Sequence, residues 1–244
     1  MGRVVADICA NDPEVEAVAG IDLLPQPTDS FPVFSTPAAC DVEGDVVIDF
    51  SHPAALEGLL DFCMGRRLPI VLATTGYSEE QLARIDEAAK TIPVFRSANM
   101  SLGINILLDL VKRAAALLGE GFDVEITERH HIRKLDAPSG TALMLADAAA
   151  SALPYETQYV YDRYSVRKPR DKRQIGISSL RGGTIVGDHS VVFAGRDEVI
   201  EFTHHAASRE VFAVGAVKAA RFLAGVDAPG VYNMSHLIGA ERGN

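Results

Sequence analysis

Four basic or titratable side chains lie within five residues of the sequence: His130, His131, Arg133 and Lys134. Residues 137–141, Ala-Pro-Ser-Gly-Thr, follow them and lead into an alanine-rich apolar run. This order predicts a helix with Ser139 as its N-cap, so that Gly140 and Thr141 carry first-turn amides without partners inside the helix. Such amides bind anions. The stretch therefore predicts a site for a carboxylate, with proton donors beside it.

A metal site is the alternative interpretation of the two adjacent histidines. Neighbouring residues of a strand point to opposite faces, so His130 and His131 could hold one ion only if the chain turned between them. A catalytic zinc site also needs three protein ligands, and no third ligand stands at helical spacing. We therefore predict no metal.

The composition restricts the class of protein. The chain has 244 residues, of which 48% are hydrophobic, and a formal net charge of −10. This acidic balance argues against a nucleic-acid or membrane-surface partner, and no apolar run approaches the ~18 residues of a membrane span. Cys9, Cys40 and Cys63 form no CxxC pair, and the chain opens without a signal-peptide pattern. Together these features predict free thiols in the cytoplasm.

The first hundred residues alternate helix and strand signals. Apolar runs predict a helix at 3–10 and strands at 15–22, 45–50, 69–76 and 92–101. Ser51 is predicted to cap the helix that follows the second of these strands, and Ser78 with Gln81 forms a capping box for the next helix. The alternation predicts βαβ units, and hence an α/β, Rossmann-like parallel sheet in a dinucleotide-binding domain at residues 1–101.

The second half of the chain has a different pattern. A long helix at 101–118 precedes a strand at 122–128 in which apolar and polar residues alternate. Short alternating runs with Gly-containing turns suggest antiparallel strands at 174–183, 184–195 and 197–206. We predict an α+β substrate-binding and oligomerisation domain with an open mixed sheet at 102–209. The C-terminal segment, 210–244, is predicted to pack back on the first domain.

A basic segment at 163–173 has six Lys and Arg residues. It is interpreted either as a solvated loop or as a mobile flap drawn to anionic ligands. Nucleic acid is not the expected partner, because the whole chain is acidic.

A dinucleotide-binding domain should have a Gly-rich loop and, about 20 residues further on, an acid for the ribose hydroxyls. Asp22 ends a predicted strand twenty residues after Gly2, so Gly2 fits the last glycine of such a loop. A simple turn acid is the alternative for Asp22. The loops 73–76 and 97–101 follow buried strands, where ligands bind in open α/β sheets. These residues predict contacts with a nicotinamide cofactor.

The run ERHHIRKLDAPSGTA, residues 128–142, resembles the signature E-x-H-H-x-x-K-x-D-A-P-S-G-T-A of the 4-hydroxy-tetrahydrodipicolinate reductase family, also called dihydrodipicolinate reductase. The segments DFSHP, ATTGYS, SANMSLGIN, SLRGGTIVGDH and SREVFAVGAVKAARFL are similar to that family in order and spacing. The resemblance covers the chain from Met1 to about Gly239. It implies reduction of a cyclic dicarboxylate to tetrahydrodipicolinate with NADH or NADPH, in the diaminopimelate route to lysine.

The resemblance also implies roles for particular residues. His130 corresponds to the general acid and Lys134 to its catalytic partner. The implied contacts with the substrate carboxylate are His131, Ser139, Gly140 and Thr141. The implied cofactor contacts are Met1, Gly2, Asp22, Ala73, Thr74, Thr75, Ser97, Ala98, Asn99 and Met100. Members of the family are typically homotetramers, assembled through the sheets of the second domain.

The family begins with a strand and a G-x-x-G-x-M-G loop, and Met1-Gly2 match the end of that loop. We expect Met1 to be the methionine inside this loop, either because the recorded start is wrong or because the gene is truncated. The intact mass of the native protein tests the first of these, since a mass that matches 244 residues would contradict it. Two other functions stay open. One is a non-catalytic, ligand-binding homologue disabled by loss of the phosphate loop. The other is a related amino-acid dehydrogenase, which the His-His-x-x-Lys run does not favour.

Overall fold

The computed structural model describes residues 1–26, 28 and 30–242, so the last two residues of the predicted segment 210–244 lie outside it. The chain divides into two compact units, one of Met1–Ser101 with Glu210–Asn244 and the other of Leu102–Arg209. The α-helices are α1 (Gly2–Ala10), α2 (Leu56–Arg66), α3 (Glu79–Ala88), α4 (Leu102–Leu118), α5 (Gly140–Ala150), α6 (Glu210–Ala224) and α7 (Met234–Arg242). The strands of the first unit are β1 (Gly20–Ile21), β2 (Val33–Phe34), β3 (Val47–Asp49), β4 (Ile70–Leu72), β5 (Pro93–Arg96) and β11 (Gly230–Tyr232).

The first unit has a parallel sheet in the order β11-β5-β4-β3, and a separate parallel pair, β1-β2. Helices cover both faces of the larger sheet. Val94 packs with the buried residues of α2 and α3, whereas the ring of the next residue, Phe95, lies 6.2 Å from that of Phe222 in α6. Because successive residues of a strand point to opposite faces, α6 covers the face that α2 and α3 leave open. The predicted α/β, Rossmann-like parallel sheet is confirmed.

The second unit is built on a mixed sheet in the order β10-β9-β6-β8-β7. Its strands are β6 (Asp123–His130), β7 (Gln158–Val160), β8 (Gln174–Arg181), β9 (Gly187–Ala194) and β10 (Val199–Ala206). Apolar residues of α4 and α5 pack on one face of β6, β8 and β9 and form the core of the unit. Strand β6 is central, since it pairs antiparallel with β9 and parallel with β8.

Three local predictions differ from the structure. Of the strand predicted at 15–22, only Gly20–Ile21 is regular, because β2 is the one ladder partner of this segment in the described part. The cap predicted at Ser51 is wrong. The Ser51 hydroxyl donates to Asp49 Oδ1 at 2.5 Å, and His52 Nδ1 instead accepts from the Ala54 amide at 3.2 Å. The strand at 174–183, predicted to be antiparallel, also differs, because β8 pairs parallel with both of its neighbours, β6 and β7.

Candidate functional site

Strand β6 places an acid and a histidine on its buried face. The side chains of Val124 and Ile126 are buried in the core. Glu128 and His130 continue the same period of two along the strand, and they are 0% and 8% exposed. His130 Nδ1 lies 2.6 Å from Glu128 Oε2. The apolar alternation of the strand therefore carries a titratable pair into the interior at its C-terminal end.

The Glu128 carboxylate is the centre of a hydrogen-bonded group. Both of its oxygens accept from the guanidinium of Arg181 at 2.8 Å, and Oε1 also accepts from the amide of Ser139 at 3.2 Å. Burial raises the pKa of Glu128, but hydrogen bonds from Arg181, His130 and Ser179 outweigh it and lower the pKa to about 2. Glu128 is therefore ionised, and it joins the end of β6 to the start of α5.

The start of α5 follows the sequence prediction. Ser139 is the N-cap, and its Oγ accepts from the amide of Ala142 at 3.2 Å. The same oxygen lies 2.9 Å from His189 Nε2, and Ser139 is 2% exposed, so its hydroxyl is engaged inside the protein. Gly140 is exposed and a Cβ there would meet nothing within 4 Å, which leaves its backbone open to a ligand.

His189, in β9, is a second buried histidine of this site. It is 4% exposed, and its ring centroid lies 5.2 Å from that of His130 at an interplanar angle of 75°. Burial, and then the neighbouring His130, lower the pKa of His189 to about 4. The ring is therefore neutral at physiological pH and supports the cap of α5.

The segment between β6 and α5 carries the remaining predicted residues. Lys134 Nζ lies 2.8 Å from Asp136 Oδ1, and this hydrogen bond lowers the pKa of Asp136. Burial, followed by the charges of Arg209 and Arg133, lowers the pKa of His131. Positive charge therefore surrounds His131, which suits an anionic ligand.

In the described part, no group of three or more His, Cys, Asp or Glu side chains is arranged to hold a metal ion.

In the first unit, the predicted phosphate-loop and ribose contacts lie at the start of α1 and the end of β1. Helix α1 begins at Gly2, directly after Met1, and both residues are exposed. Asp22 is exposed, and its Oδ1 accepts from the amide of Leu24 at 2.9 Å. An exposed carboxylate at the end of a parallel strand fits the ribose hydroxyls of a dinucleotide.

The other predicted cofactor contacts follow the C-terminal ends of the neighbouring strands β4 and β5. In the loop after β4, Ala73 and Thr74 are partly exposed and Thr75 is exposed. In the loop after β5, Ser97 is partly exposed and Ala98 is exposed. Asn99 Oδ1 accepts from the amide of Ser101 at 2.8 Å. Met100 is 4% exposed, so its side chain belongs to the core of the unit.

The basic segment 163–173 is tied to the strand beneath it. Arg163 and Arg170 form ion pairs with Glu125, and Arg170 and Lys172 with Asp123. These acids lie on the face of β6 opposite to Glu128. The segment therefore uses much of its charge within its own unit.

The residue-level prediction missed Glu128, Arg181 and His189. The signal was present in the sequence, because Glu128 continues the alternation of Val124 and Ile126. His189 similarly continues that of Val191 and Phe193, which are also buried. A polar residue in phase with buried apolar ones requires a partner. The partner of Glu128 is Arg181, 53 residues away, which local spacing could not indicate.

Comparison with known proteins identifies the family. The profile of dihydrodipicolinate reductase, N-terminus, matches residues 1–100, and that of dihydrodipicolinate reductase, C-terminus, matches residues 103–238. The chain belongs to the dihydrodipicolinate reductase family. The predicted family and the predicted class of enzyme, an NAD(P)H-dependent oxidoreductase, are confirmed.

Relatives of the family match almost the whole chain. The 4-hydroxy-tetrahydrodipicolinate reductase of Caldanaerobacter subterraneus subsp. tengcongensis is 55% identical over 98% of this chain and 94% of its own length. The enzyme of the same name from Clostridium botulinum is 47% identical over 99% and 95%. The dipicolinate-bound dihydrodipicolinate reductase from Paenisporosarcina sp. TG-14 has the same fold, with a TM-score of 0.79 at 24% identity over 95% of this chain and 92% of that one. None of the helices in the described part could cross a membrane.

Proposed function

We propose that this chain reduces 4-hydroxy-tetrahydrodipicolinate to tetrahydrodipicolinate with NADH or NADPH, in the diaminopimelate route to lysine. The observation that carries the proposal is the position of the Glu128 carboxylate. It contacts the His130 ring, which is a proton donor, and it also accepts from the Ser139 amide at the start of α5, which is an anion-binding helix end. The name of the relatives supports the substrate. The dipicolinate in the Paenisporosarcina enzyme supports a small dicarboxylate ligand.

The side chains of the second unit suit this reaction. The chemistry that a bound nicotinamide would supply is delivery of a hydride to a ring carbon conjugated to C=N, and negative charge would then develop on the nitrogen side. A proton from His130 offsets that charge, and the Lys134 ammonium stabilises it. The amides of Gly140 and Thr141, together with His131, are the proposed contacts of a substrate carboxylate, which fix the ring of the substrate.

The first unit is proposed to bind the cofactor. The first-turn amides of α1 offer hydrogen bonds to the pyrophosphate, and the exposed Asp22 carboxylate accepts from the ribose hydroxyls. The loops 73–75 and 97–100, after β4 and β5, are the proposed contacts of the nicotinamide half.

We also propose a cytoplasmic homotetramer, and light scattering of the purified protein tests the number of subunits.

An assay of NADH oxidation with freshly generated substrate tests the reductase function. We expect NADH to be consumed only when substrate is present, and much more slowly when His130 is replaced. Cofactor binding without substrate-dependent oxidation would instead support the non-catalytic, ligand-binding homologue.

A further inference from the structure

We propose that Glu128, held by Arg181, is a positioning residue that keeps a proton on His130 Nδ1 and thereby makes Nε2 the ring atom that gives a proton to the substrate. The inference rests on the proposed reductase function, which it deepens. It assigns to two residues outside the predicted site a role in orienting the acid.

The direction of the hydrogen bond between Glu128 and His130 determines the tautomer of the ring. An ionised carboxylate can only accept hydrogen bonds, and Glu128 is ionised because the guanidinium of Arg181 faces both of its oxygens at 2.8 Å. The 2.6 Å contact with His130 Nδ1 therefore requires that this nitrogen donates. Nδ1 stays protonated, and only Nε2 can exchange a proton.

The Glu128 carboxylate is held in place by Arg181. Arg181 also donates to the backbone carbonyls of Leu180, at 2.7 Å, and of Asp136, at 2.5 Å. The guanidinium thus ties Glu128 to the end of β8 and to the segment that precedes α5. A carboxylate fixed in this way holds the plane and the tautomer of the ring it binds, as a triad acid does for its histidine.

The space beside His130 Nε2 depends on Gly187. A Cβ on Gly187 would lie 3.0 Å from His130 Nε2 and 3.4 Å from Cδ2, so any side chain at this position would crowd the nitrogen. Glycine at 187 therefore keeps side-chain atoms of this position away from Nε2. In the proton transfer the Nε2–H bond breaks, its electron pair stays on the ring, and the proton bonds to the reduced substrate. The neutral ring that remains keeps its Nδ1–H bond to Glu128.

The test combines ¹⁵N NMR of the histidine ring nitrogens in the full-length protein with steady-state kinetics. In the native protein we expect neutral His130 to be the Nδ1–H tautomer. Glu128→Gln should lose this preference and lower kcat by ~10-fold or more, with the KM for cofactor unchanged. Glu125→Gln is the matched control, since it changes an acid on the opposite face of β6 and should alter neither measurement.

Gly187→Ala separates the approach to Nε2 from the anchoring of Nδ1. We expect it to lower kcat by ~10-fold or more with the tautomer unchanged. A native His130 in the Nε2–H tautomer, or full kcat in either Glu128→Gln or Gly187→Ala, would overturn the proposal. The NMR measurement on the native chain requires neither turnover nor a folded variant. A chain without reductase activity but with the Nδ1–H tautomer would therefore refute the function alone.

Discussion

At His130, one imidazole ring combines burial with a charged partner. The ring is 8% exposed and is held by an acid that is fully buried. Burying such a titratable pair costs free energy, and pairs of this kind are frequent at functional sites. The neighbouring Lys134 is paired with Asp136, so the proposed charge stabiliser is also oriented before a ligand arrives.

Replacement of His130 tests its role as the acid. We expect His130→Gln to lower kcat by ~10²–10⁴-fold and to leave the dissociation constant of NADH unchanged, because the ring donates a proton and does not hold the cofactor. His205→Gln is the control, since His205 lies in β10 with a side chain 63% exposed. Unchanged turnover in His130→Gln would remove this residue from the mechanism.

The cofactor preference depends on the residues around Asp22. Leu23, which follows it, is 90% exposed and offers no positive charge to a 2′-phosphate. We therefore expect kcat/KM for NADH to be at least as high as for NADPH, and Leu23→Arg to shift the ratio towards NADPH. A native preference for NADPH of about tenfold or more, a difference of ~1.4 kcal/mol, contradicts the expectation.

The helix ends show how far local sequence determines the elements. The capping box of Ser78 and Gln81 and the N-cap at Ser139 form as predicted, because both partners lie within four residues. The cap at His52 is not predicted. The Ser51 hydroxyl donates a hydrogen bond to Asp49 and therefore does not cap the helix, and His52 accepts from the Ala54 amide.

Strand pairing and the buried site were harder to predict than the helices. A sequence pattern shows which residues of a strand face the core, but it does not show which strand lies beside it. Thus the sequence suggests an antiparallel strand at 174–183, whereas β8 pairs parallel with both β6 and β7. The contact of Glu128 with Arg181 follows from that pairing, and for the same reason it could not be predicted.

The two serine caps give a prediction about stability. Ser139→Ala should cost the cap, about 1 kcal/mol, and also leaves buried His189 Nε2 without its partner, for roughly 1–3 kcal/mol more. Ser78→Ala loses only an exposed cap. Urea unfolding of the two variants measures the difference, and equal losses would show that the contact with His189 contributes little.

For the whole molecule, buried titratable groups predict loss of stability in acid. Unfolded His189 takes up a proton near pH 6.5, whereas in the folded protein its pKa is about 4, so protons favour unfolding as the pH falls between these values. Glu128 acts at lower pH. Its stabilisation is complete above its usual pKa of 4.5 and is lost as the pH falls towards about 2.

A variant of His189 isolates the first of these effects. The free energy of unfolding of the native protein should fall by up to ~3 kcal/mol between pH 7 and pH 4 on account of this residue. His189→Gln should show a smaller fall over the same interval. Urea unfolding at several pH values measures both, and parallel curves would show that His189 does not cause the acid sensitivity.

The order of segments along the chain has a consequence for synthesis on the ribosome. Strand β5 lies between β4 and β11, and α6 covers one face of this sheet, yet α6 and β11 are made only after the whole of Leu102–Arg209. A nascent chain therefore holds β3, β4 and β5 with one side uncovered while the inserted unit emerges and can fold. We expect the nascent first unit to depend on chaperones until its final helices leave the exit tunnel.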